Sequence, residues 1–225
     1  MDTTNYKIKI ETPDPGYEPF PVSIMNRSTS EVLKFNPSKG ESANISYRLN
    51  QAGCIRIRLV SKTDHKLLIK TLQDWTQQAF GEYSLRWDGS DESGNIVDNK
   101  RVFVLFEAKD QKDGLQHQSH NEDVCRDPKI TVETIPQTSE IISGNVEIKT
   151  SFKTEMMFDC NIGAELRYYI DYELFKKEDI SKLLTDHILE LDTSILRNGK
   201  HLITVNVDDR HDHIGSAGVI ISVDN

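Results

Sequence analysis

Three side chains in one short run, Asp88, Asp91 and Asn95, have the oxygen ligands that calcium prefers. A calcium-binding EF-hand loop needs such ligands at alternate positions and a glutamate at its end. In this run the first two carboxylates are three residues apart, so the spacing does not match. Glycine and Asx residues are common in turns between strands, and we therefore expect a structural turn rather than a metal site.

The segment 208–213 is a second candidate for metal binding, because it combines aspartates with His211 and His213. A zinc site needs several converging ligands, and residues at the tip of a hairpin usually contact solvent instead. His117 and His120 lie in a polar stretch, and we expect them to be exposed as well. The sequence therefore predicts no bound metal and no other cofactor.

The sequence shows none of the motifs that mark nucleophilic catalysis. It has no Gly-Xaa-Ser-Xaa-Gly elbow, no glycine-rich phosphate loop after a strand, and no cysteine with the flanking residues of a thiol protease. Catalytic triads are assembled in space and not along the chain, so this pattern does not exclude an enzyme. We predict a protein that is not an enzyme, with no catalytic, cofactor-binding or metal-binding residues.

Aromatic side chains could form a face that stacks on sugar rings, and five residues are candidates: Trp75, Tyr83, Trp87, Phe103 and Phe106. Tyr83 and Trp87 alternate with polar residues and share a face with Leu85, which is typical of a sandwich core. Trp75 stands in the polar stretch 73–78, and we expect it to be exposed. An exposed tryptophan is a typical anchor for a partner protein or a sugar.

Alternation of apolar and polar residues is the main pattern in the first half of the chain. Residues 43–49 and 55–59 alternate in this way and predict two neighbouring antiparallel strands joined by a turn at 50–53. Further strands are predicted at 83–87 and 101–108. The turn-rich run 88–95 is predicted to be their hairpin connection.

The same alternation continues in the second half, where strands are predicted at 130–132, 146–148, 166–170, 203–207 and 219–223. One segment, 178–188, favours a helix because Ile180, Leu183, Leu184 and Ile188 have helical spacing. About a dozen short strands without βαβ alternation indicate an all-β protein. We predict two tandem antiparallel Ig-like β-sandwiches, with at most one short helix in the second.

The chain of 225 residues carries a formal net charge of −9, and this charge is unevenly distributed. Residues 1–113 hold 16 basic and 16 acidic side chains, whereas residues 114–225 hold 11 and 20. Apolar periodicity is lost from Lys109 to Lys129, so we predict a first domain at 1–110, a linker at 111–129 and a second domain at 130–225. The acidic balance argues against nucleic acid as a partner, because phosphate binding relies on clustered Lys and Arg.

No apolar stretch approaches the ~20 residues that a membrane-spanning helix needs, and we expect no membrane span. The N-terminus shows no basic region followed by an apolar run, so no secretory signal is visible, although the predicted folds favour a cell-surface or extracellular assembly. Cys54 lies beside a predicted strand and is expected to be a small buried residue. Cys125 and Cys160 could pair only if the fold brings them together.

Four segments of the first half carry a family resemblance: 35–41, 45–49, 81–89 and 91–95. In this order and spacing they resemble the Ig-like domain of flagellar hook-capping proteins, over about residues 35–108. The family usually begins its final strand with Gly-Xaa-Tyr, whereas this chain has Asn99-Lys100-Arg101-Val102-Phe103. The resemblance implies a β-sandwich with a binding or assembly role and no shared catalytic site.

In the second half, the segments 168–171, 191–201 and 219–225 resemble a bacterial Ig-like domain of another kind, over residues 130–225. Within them, Asn198-Gly199 is a strong hairpin signal between the residues on its two sides. This resemblance likewise implies an architecture suited to binding or assembly.

These observations together favour a non-catalytic structural or adaptor subunit that contacts other protein subunits in a larger bacterial assembly, either hook-cap-like or of an extracellular or contractile-injection type. The first alternative is a carbohydrate-binding or adhesive cell-surface module, with Trp75 as its anchor. The second alternative is a pair of accessory domains docked to an enzyme. We also expect the second domain to present an acidic face to solvent or to a basic partner, with an association that weakens as salt rises.

Overall fold

The computed structural model describes residues 10–11, 22–23, 35–97, 102–110, 130–135, 141–152, 164–180, 186–208, 210 and 213–225. The chain divides into two compact units, a first unit of residues 1–122 and a second unit of residues 123–225. The segment predicted as a linker, 111–129, lies outside the described residues, as do Cys125 and Cys160.

The first unit contains a four-stranded sheet of order β1-β7-β4-β5 and a three-stranded sheet of order β2-β3-β6. The described pairings are antiparallel, except for the parallel pairing of β1 with β7. The strands are β1 Ile10–Glu11, β2 Val22–Ser23, β3 Ala43–Leu49, β4 Gly53–Ser61, β5 Leu68–Gln78, β6 Gly81–Trp87 and β7 Val102–Asp110.

Alternate residues of these strands form the apolar core of the first unit. Ile45, Tyr47 and Leu49 of β3 are buried on one face, as the alternation predicted. The Tyr47 ring meets Phe106 of the other sheet edge-on, with ring centroids 5.5 Å apart. Burial stabilises the fold by roughly 1.5–3 kcal/mol for each large apolar side chain, so this layer holds the two sheets together.

The hairpins predicted for the first unit are wrong, because consecutive strands cross from one sheet to the other. β3 pairs with β2 and β6, whereas β4 pairs with β5 and β7, so the turn at 50–53 connects the two sheets. β6 and β7 also lie in different sheets, and the run 88–95 is not a hairpin tip. Alternation along a strand shows which face is buried but not which strand pairs with it.

The second unit contains a three-stranded sheet of order β13-β10-β8 and a five-stranded sheet of order β12-β11-β14-β15-β9. One buried cluster contains residues of both sheets, including Ile148 and Leu189 of the smaller sheet and Val205 and Val207 of the larger one. The strands are β8 Ile130–Ile135, β9 Ile141–Ile142, β10 Asn145–Phe152, β11 Ala164–Ile170, β12 Glu173–Ile180, β13 Asp186–Asp192, β14 Gly199–Asp208 and β15 Ile214–Val223.

The helix predicted at 178–188 is wrong. β12 ends at Ile180 and β13 begins at Asp186, so the two ends of that segment are strands of different sheets. Ile180 is 8% exposed within the core, whereas Ile188 is 56% exposed. The helical spacing therefore grouped two isoleucines that do not share a buried face, one in the core and one exposed.

The hairpin predicted at Asn198-Gly199 is also wrong, because the strands before and after it, β13 and β14, lie in different sheets. The Asn198 side chain instead accepts a hydrogen bond from the backbone N–H of Asn225, at 2.9 Å, and donates one to the Asp224 carboxylate, at 2.7 Å. The residue thus holds the end of the chain against the start of β14.

The predicted all-β class is confirmed in the described ranges. The helical segments there are two single turns of 3₁₀ helix, Pro37–Lys39 in the first unit and Thr193–Ile195 in the second. The paired, mostly antiparallel sheets of each unit form a β-sandwich. The described part of the second unit stays within the predicted limit of one short helix, but that helix lies at Thr193–Ile195 and not at 178–188.

Candidate functional site

The run 88–95 is a turn held together by its own carboxylates. The Asp88 carboxylate accepts hydrogen bonds from the backbone N–H and the hydroxyl of Ser90, at 3.0 and 2.6 Å. The Asp91 carboxylate accepts from the backbone N–H groups of Ser93 and Asn95, at 2.9 and 2.8 Å. Both carboxylates therefore stabilise the turn itself, which is the arrangement expected from Asx residues between strands.

This turn also closes over the most voluminous buried side chain of the first unit. The indole N–H of Trp87 donates to the backbone carbonyl of Ser90, at 2.9 Å, and Trp87 is 1% exposed. The Phe35 ring contacts the indole edge-on, with ring centroids 5.6 Å apart. The turn thus satisfies the one polar group of a tryptophan that fills the core.

The histidine-rich segment 208–213 is described only in part, with His211 outside the described residues. Asp208 accepts hydrogen bonds from the Arg167 guanidinium and from the backbone N–H of Arg210, both at 2.8 Å. Among the described residues, no group of three or more His, Cys, Asp or Glu side chains is placed to hold a metal ion. His117 and His120 also lie outside the described residues.

Trp75 is not exposed as predicted but half-buried, and its ring lies over the Arg56 guanidinium at 4.6 Å. The polar residues around it form β5, an edge strand, and the indole covers a cation there. Tyr83 is half-buried against Tyr47, with stacked rings 5.4 Å apart. The remaining sugar-stacking candidates, Trp87, Phe103 and Phe106, are buried.

An acidic face is the clearest candidate for function in the second unit. It is the outer face of the three-stranded sheet, formed by the residues that alternate with the buried ones on β8, β10 and β13. It carries five carboxylates against one ammonium, a formal excess of four negative charges. We name it the acidic face; its charged members are Glu133, Glu147, Lys149, Asp186, Glu190 and Asp192.

An apolar side chain lies among these charges. Ile188 is 56% exposed and is paired across the sheet with Lys149, which in turn is paired with Glu133. Two residue pairs further along, on the same face of the sheet, Glu147 lies directly opposite Glu190. Like charges in directly opposed positions destabilise a sheet, so this pairing does not serve stability.

Two of the carboxylates are held in the ionised form by local hydrogen bonds. The Ser151 hydroxyl, at 2.7 Å, and then the Lys149 ammonium lower the pKa of Asp186. The side chain and backbone N–H of Ser194 lower the pKa of Asp192. The acidic face therefore keeps these charges to a lower pH than ordinary aspartates would.

The uneven charge distribution of the sequence predicted an acidic face in the second domain but not the residues that form it. Along residues 186–192, exposed side chains alternate with side chains that are buried or half-buried, and this period of two is typical of a strand. Because Ile188 and Ile180 have helical spacing, the sequence favoured a helix there instead of this strand.

Phe80, in the β5–β6 turn, is an exposed aromatic residue that the sequence analysis did not single out. It is 61% exposed, with the Arg48 guanidinium 5.4 Å from its ring centroid.

In the part of the chain that the structure describes, there is no helix long and apolar enough to cross a membrane.

No protein-family model matches the chain, and no curated protein is found to be similar to it. Among solved structures, the sulfur carrier protein SoxY from Chlorobium limicola is 12% identical, with 51% of this chain and 96% of that chain covered and a TM-score of 0.31. A CARDB domain from Pyrococcus furiosus is 17% identical, with 44% and 97% covered and a TM-score of 0.29. The Yersinia pseudotuberculosis adhesin InvE is 10% identical, with 83% and 55% covered and a TM-score of 0.29. Likenesses this distant carry no argument about function, which must come from the chain's own surfaces.

Proposed function

We propose that this protein is a non-catalytic structural or adaptor subunit of a larger bacterial assembly, and that its acidic face binds a basic surface of a partner protein. The observation that carries the proposal is the exposed Ile188 among five carboxylates on one sheet face. An apolar centre with a charged surround is the usual arrangement of a protein interface.

The charges on this face have a physical role in association. The negative potential of the acidic face attracts a basic partner and increases its rate of encounter. Once the two proteins touch, Ile188 makes the short-range apolar contact. The directly opposed Glu147 and Glu190 repel each other in the free protein. A lysine or arginine of the partner placed between them neutralises that repulsion, so binding removes an unfavourable interaction of the free protein.

The resemblance of residues 35–108 to hook-capping proteins supports an assembly role, either hook-cap-like or of an extracellular or contractile-injection type. The first half of the chain has balanced charge, so we expect its contacts to depend less on salt than those of the acidic face.

A carbohydrate-binding role loses the residue on which it rested, since Trp75 is half-buried against Arg56. A role as enzyme accessory domains rested on His211 and His213, and His211 lies outside the described residues. Neither alternative gains support from a described feature.

Co-purification from bacterial extract with the wild-type chain and matched variants tests the proposal. We expect one stoichiometric partner, retained by wild type and lost from the Ile188→Ser variant and from the double variant Glu147→Gln/Glu190→Gln. A control variant, Glu82→Gln/Glu173→Gln, removes the same charge from exposed positions elsewhere and should retain the partner. Light scattering after size exclusion should show the complex, and a stable monomer without a retained partner would contradict the proposal.

A further inference from the structure

β5 is the edge strand of the four-stranded sheet in the first unit, with β4 as its neighbour among the described strands. At 11 residues it is also the longest strand in the described ranges. An edge strand presents a row of backbone N–H and C=O groups with which another chain can pair, so a long edge favours unwanted association. Natural proteins therefore close such edges, and the contacts of β5 close this one.

Glu92, in the run 88–95, lies against the first part of this edge in the position of a strand residue. Its backbone N–H donates to the Ile69 carbonyl at 3.2 Å, and its carboxylate accepts from the Thr71 backbone N–H at 2.7 Å. In a parallel sheet, one residue likewise donates to a carbonyl and accepts from an N–H two residues further along the neighbouring strand. Glu92 thus imitates a paired residue opposite Lys70, with its carboxylate in place of a backbone carbonyl.

The Lys70 side chain attaches the same run to the strand. Its ammonium donates to the Ser90 hydroxyl at 2.7 Å and lies 3.6 Å from the Asp88 carboxylate. Ser90 is held in turn by that carboxylate, which accepts from its backbone N–H and its hydroxyl. A side chain of β5 itself therefore keeps the run, and Glu92 with it, against the edge.

The second part of β5 is closed by its own side chains at a bulge. The pairing of β5 with β4 shifts register at three places, and one of these shifts leaves residues 74 and 75 in a bulge. There the Asp74 carboxylate accepts from the Trp75 backbone N–H at 2.8 Å, and the Thr76 hydroxyl donates to the Asp74 carbonyl at 2.7 Å. A bulge bends the strand, and backbone groups already bonded to side chains offer less to a partner strand.

We propose that Glu92, Asp74 and Thr76 close the β5 edge and so prevent a second copy of this chain from pairing with it strand to strand. The second copy is the partner that matters, because every molecule carries the same edge and two such edges can pair about a two-fold axis. Pairing of this kind competes with Glu92 for the Ile69 carbonyl and the Thr71 N–H. The closure belongs to the first unit and does not depend on the acidic face, so either proposal can fail without the other.

Removal of the Glu92 acceptor tests the closure, with a variant of equal charge as its control. Glu92→Ala leaves the Thr71 N–H without the carboxylate, whereas Glu92→Gln also removes the negative charge but keeps an acceptor oxygen. Sedimentation velocity of the purified full chain is measured over a wide range of concentration. We expect the mass of Glu92→Ala to rise from the monomer value towards the dimer value, while wild type and Glu92→Gln remain monomers. Equal association of both variants would overturn the proposal.

Amide hydrogen exchange shows where the copies meet. We expect exchange at the Thr71 amide of Glu92→Ala to slow as concentration rises, and exchange in wild type to be independent of concentration. If Glu92 serves only the stability of its turn, Glu92→Ala unfolds at a lower temperature but stays a monomer, and this result would overturn the proposal. Concentration-dependent protection on a strand other than β5 would overturn it as well.

A second variant keeps the test decisive if Glu92→Ala does not fold. Asp74→Ala/Thr76→Ala removes both side-chain caps from the bulge and opens the other part of the same edge. We expect this variant to dimerise with concentration-dependent protection of β5. A folded double variant that stays a monomer at every concentration would contradict the closure.

Discussion

His201 donates a hydrogen bond from Nδ1 to the Asp171 carboxylate at 2.6 Å and from Nε2 to the backbone carbonyl of Arg197 at 2.7 Å. Both partners are acceptors, so both ring nitrogens carry hydrogen and the imidazole is positively charged. Asp171 and Tyr172 form the two-residue turn between β11 and β12, with φ of 49° and 74°. The histidine thus stabilises a hairpin whose two central residues have left-handed backbone conformations without glycine.

Stability of this hairpin should depend on pH through His201. Partial burial alone would lower the pKa of His201, but the Arg197 carbonyl and the Asp171 carboxylate outweigh burial and raise it. A raised pKa stabilises the folded state fully below the unfolded value of about 6.5, and this contribution is lost as pH rises through the folded value. We expect His201→Asn to lower the free energy of unfolding by about 2 kcal/mol at acidic pH, and by progressively less as the pH rises through the raised pKa of the folded state.

Amide hydrogen exchange of β11 and β12 across the same pH range measures this effect, and an NMR titration of the imidazole gives its pKa directly. His187, whose pKa is lowered mainly by burial, is the internal comparison. A His201 that titrates below His187, or a cost of substitution that does not change with pH, would contradict the assignment of a charged imidazole.

The Glu107 carboxylate should be essential to the first unit. The Glu107→Gln substitution removes the carboxylate that pairs with two buried guanidinium groups, and we expect a loss of about 3–5 kcal/mol in the free energy of unfolding. Chemical unfolding followed by tryptophan fluorescence reports on this unit, because the chain's 2 tryptophans, Trp75 and Trp87, both lie in it. The exposed Glu82→Gln should change stability by less than about 0.5 kcal/mol, and similar losses in both variants would refute the role of the ion pair.

Substitutions at two glycines with the same backbone conformation distinguish the cost of backbone strain from the cost of steric overlap. Gly89 and Gly94 both have φ of 86°. A Cβ at Gly94 meets nothing within 4 Å, whereas one at Gly89 would lie 2.3 Å from Pro37 Cγ. We expect Gly94→Ala to cost about 1–2 kcal/mol through the left-handed backbone alone. Gly89→Ala should cost a further ~1–3 kcal/mol through overpacking. Thermal unfolding compares the two, and equal losses would show that Pro37 moves aside freely.

Alternation predicted the buried faces in both units, because a period of two is a local property of the strand. Ile45, Tyr47 and Leu49, and likewise Val205 and Val207, are buried as that pattern requires. Strand pairing was not predictable from the same pattern. The Asn50-to-Gly53 turn looks like a hairpin locally, yet it connects two sheets whose partners lie far apart in the sequence.

The buried pairing of Arg56 and Arg58 with Glu107 could not be predicted for a similar reason. Arg56 and Arg58 alternate with isoleucines and would ordinarily face solvent, and their burial depends on Glu107, about fifty residues further along the chain. The acidic face was predictable in part. The uneven distribution of charge indicated the correct half of the chain, but the residues that share the face follow from the register of β13 with β10 and of β10 with β8.

The salt dependence of partner binding tests the central claim most directly. Affinity for the co-purified partner is measured by titration between about 0.05 and about 0.5 M NaCl, a range over which screening of exposed charges increases strongly. We predict that wild-type affinity falls severalfold or more and that Glu147→Gln/Glu190→Gln binds more weakly with a flatter dependence on salt. The Glu82→Gln/Glu173→Gln control should follow the wild-type curve. Wild-type affinity that does not change with salt, or equal slopes for wild type and the acidic-face variant, would contradict binding through the acidic face.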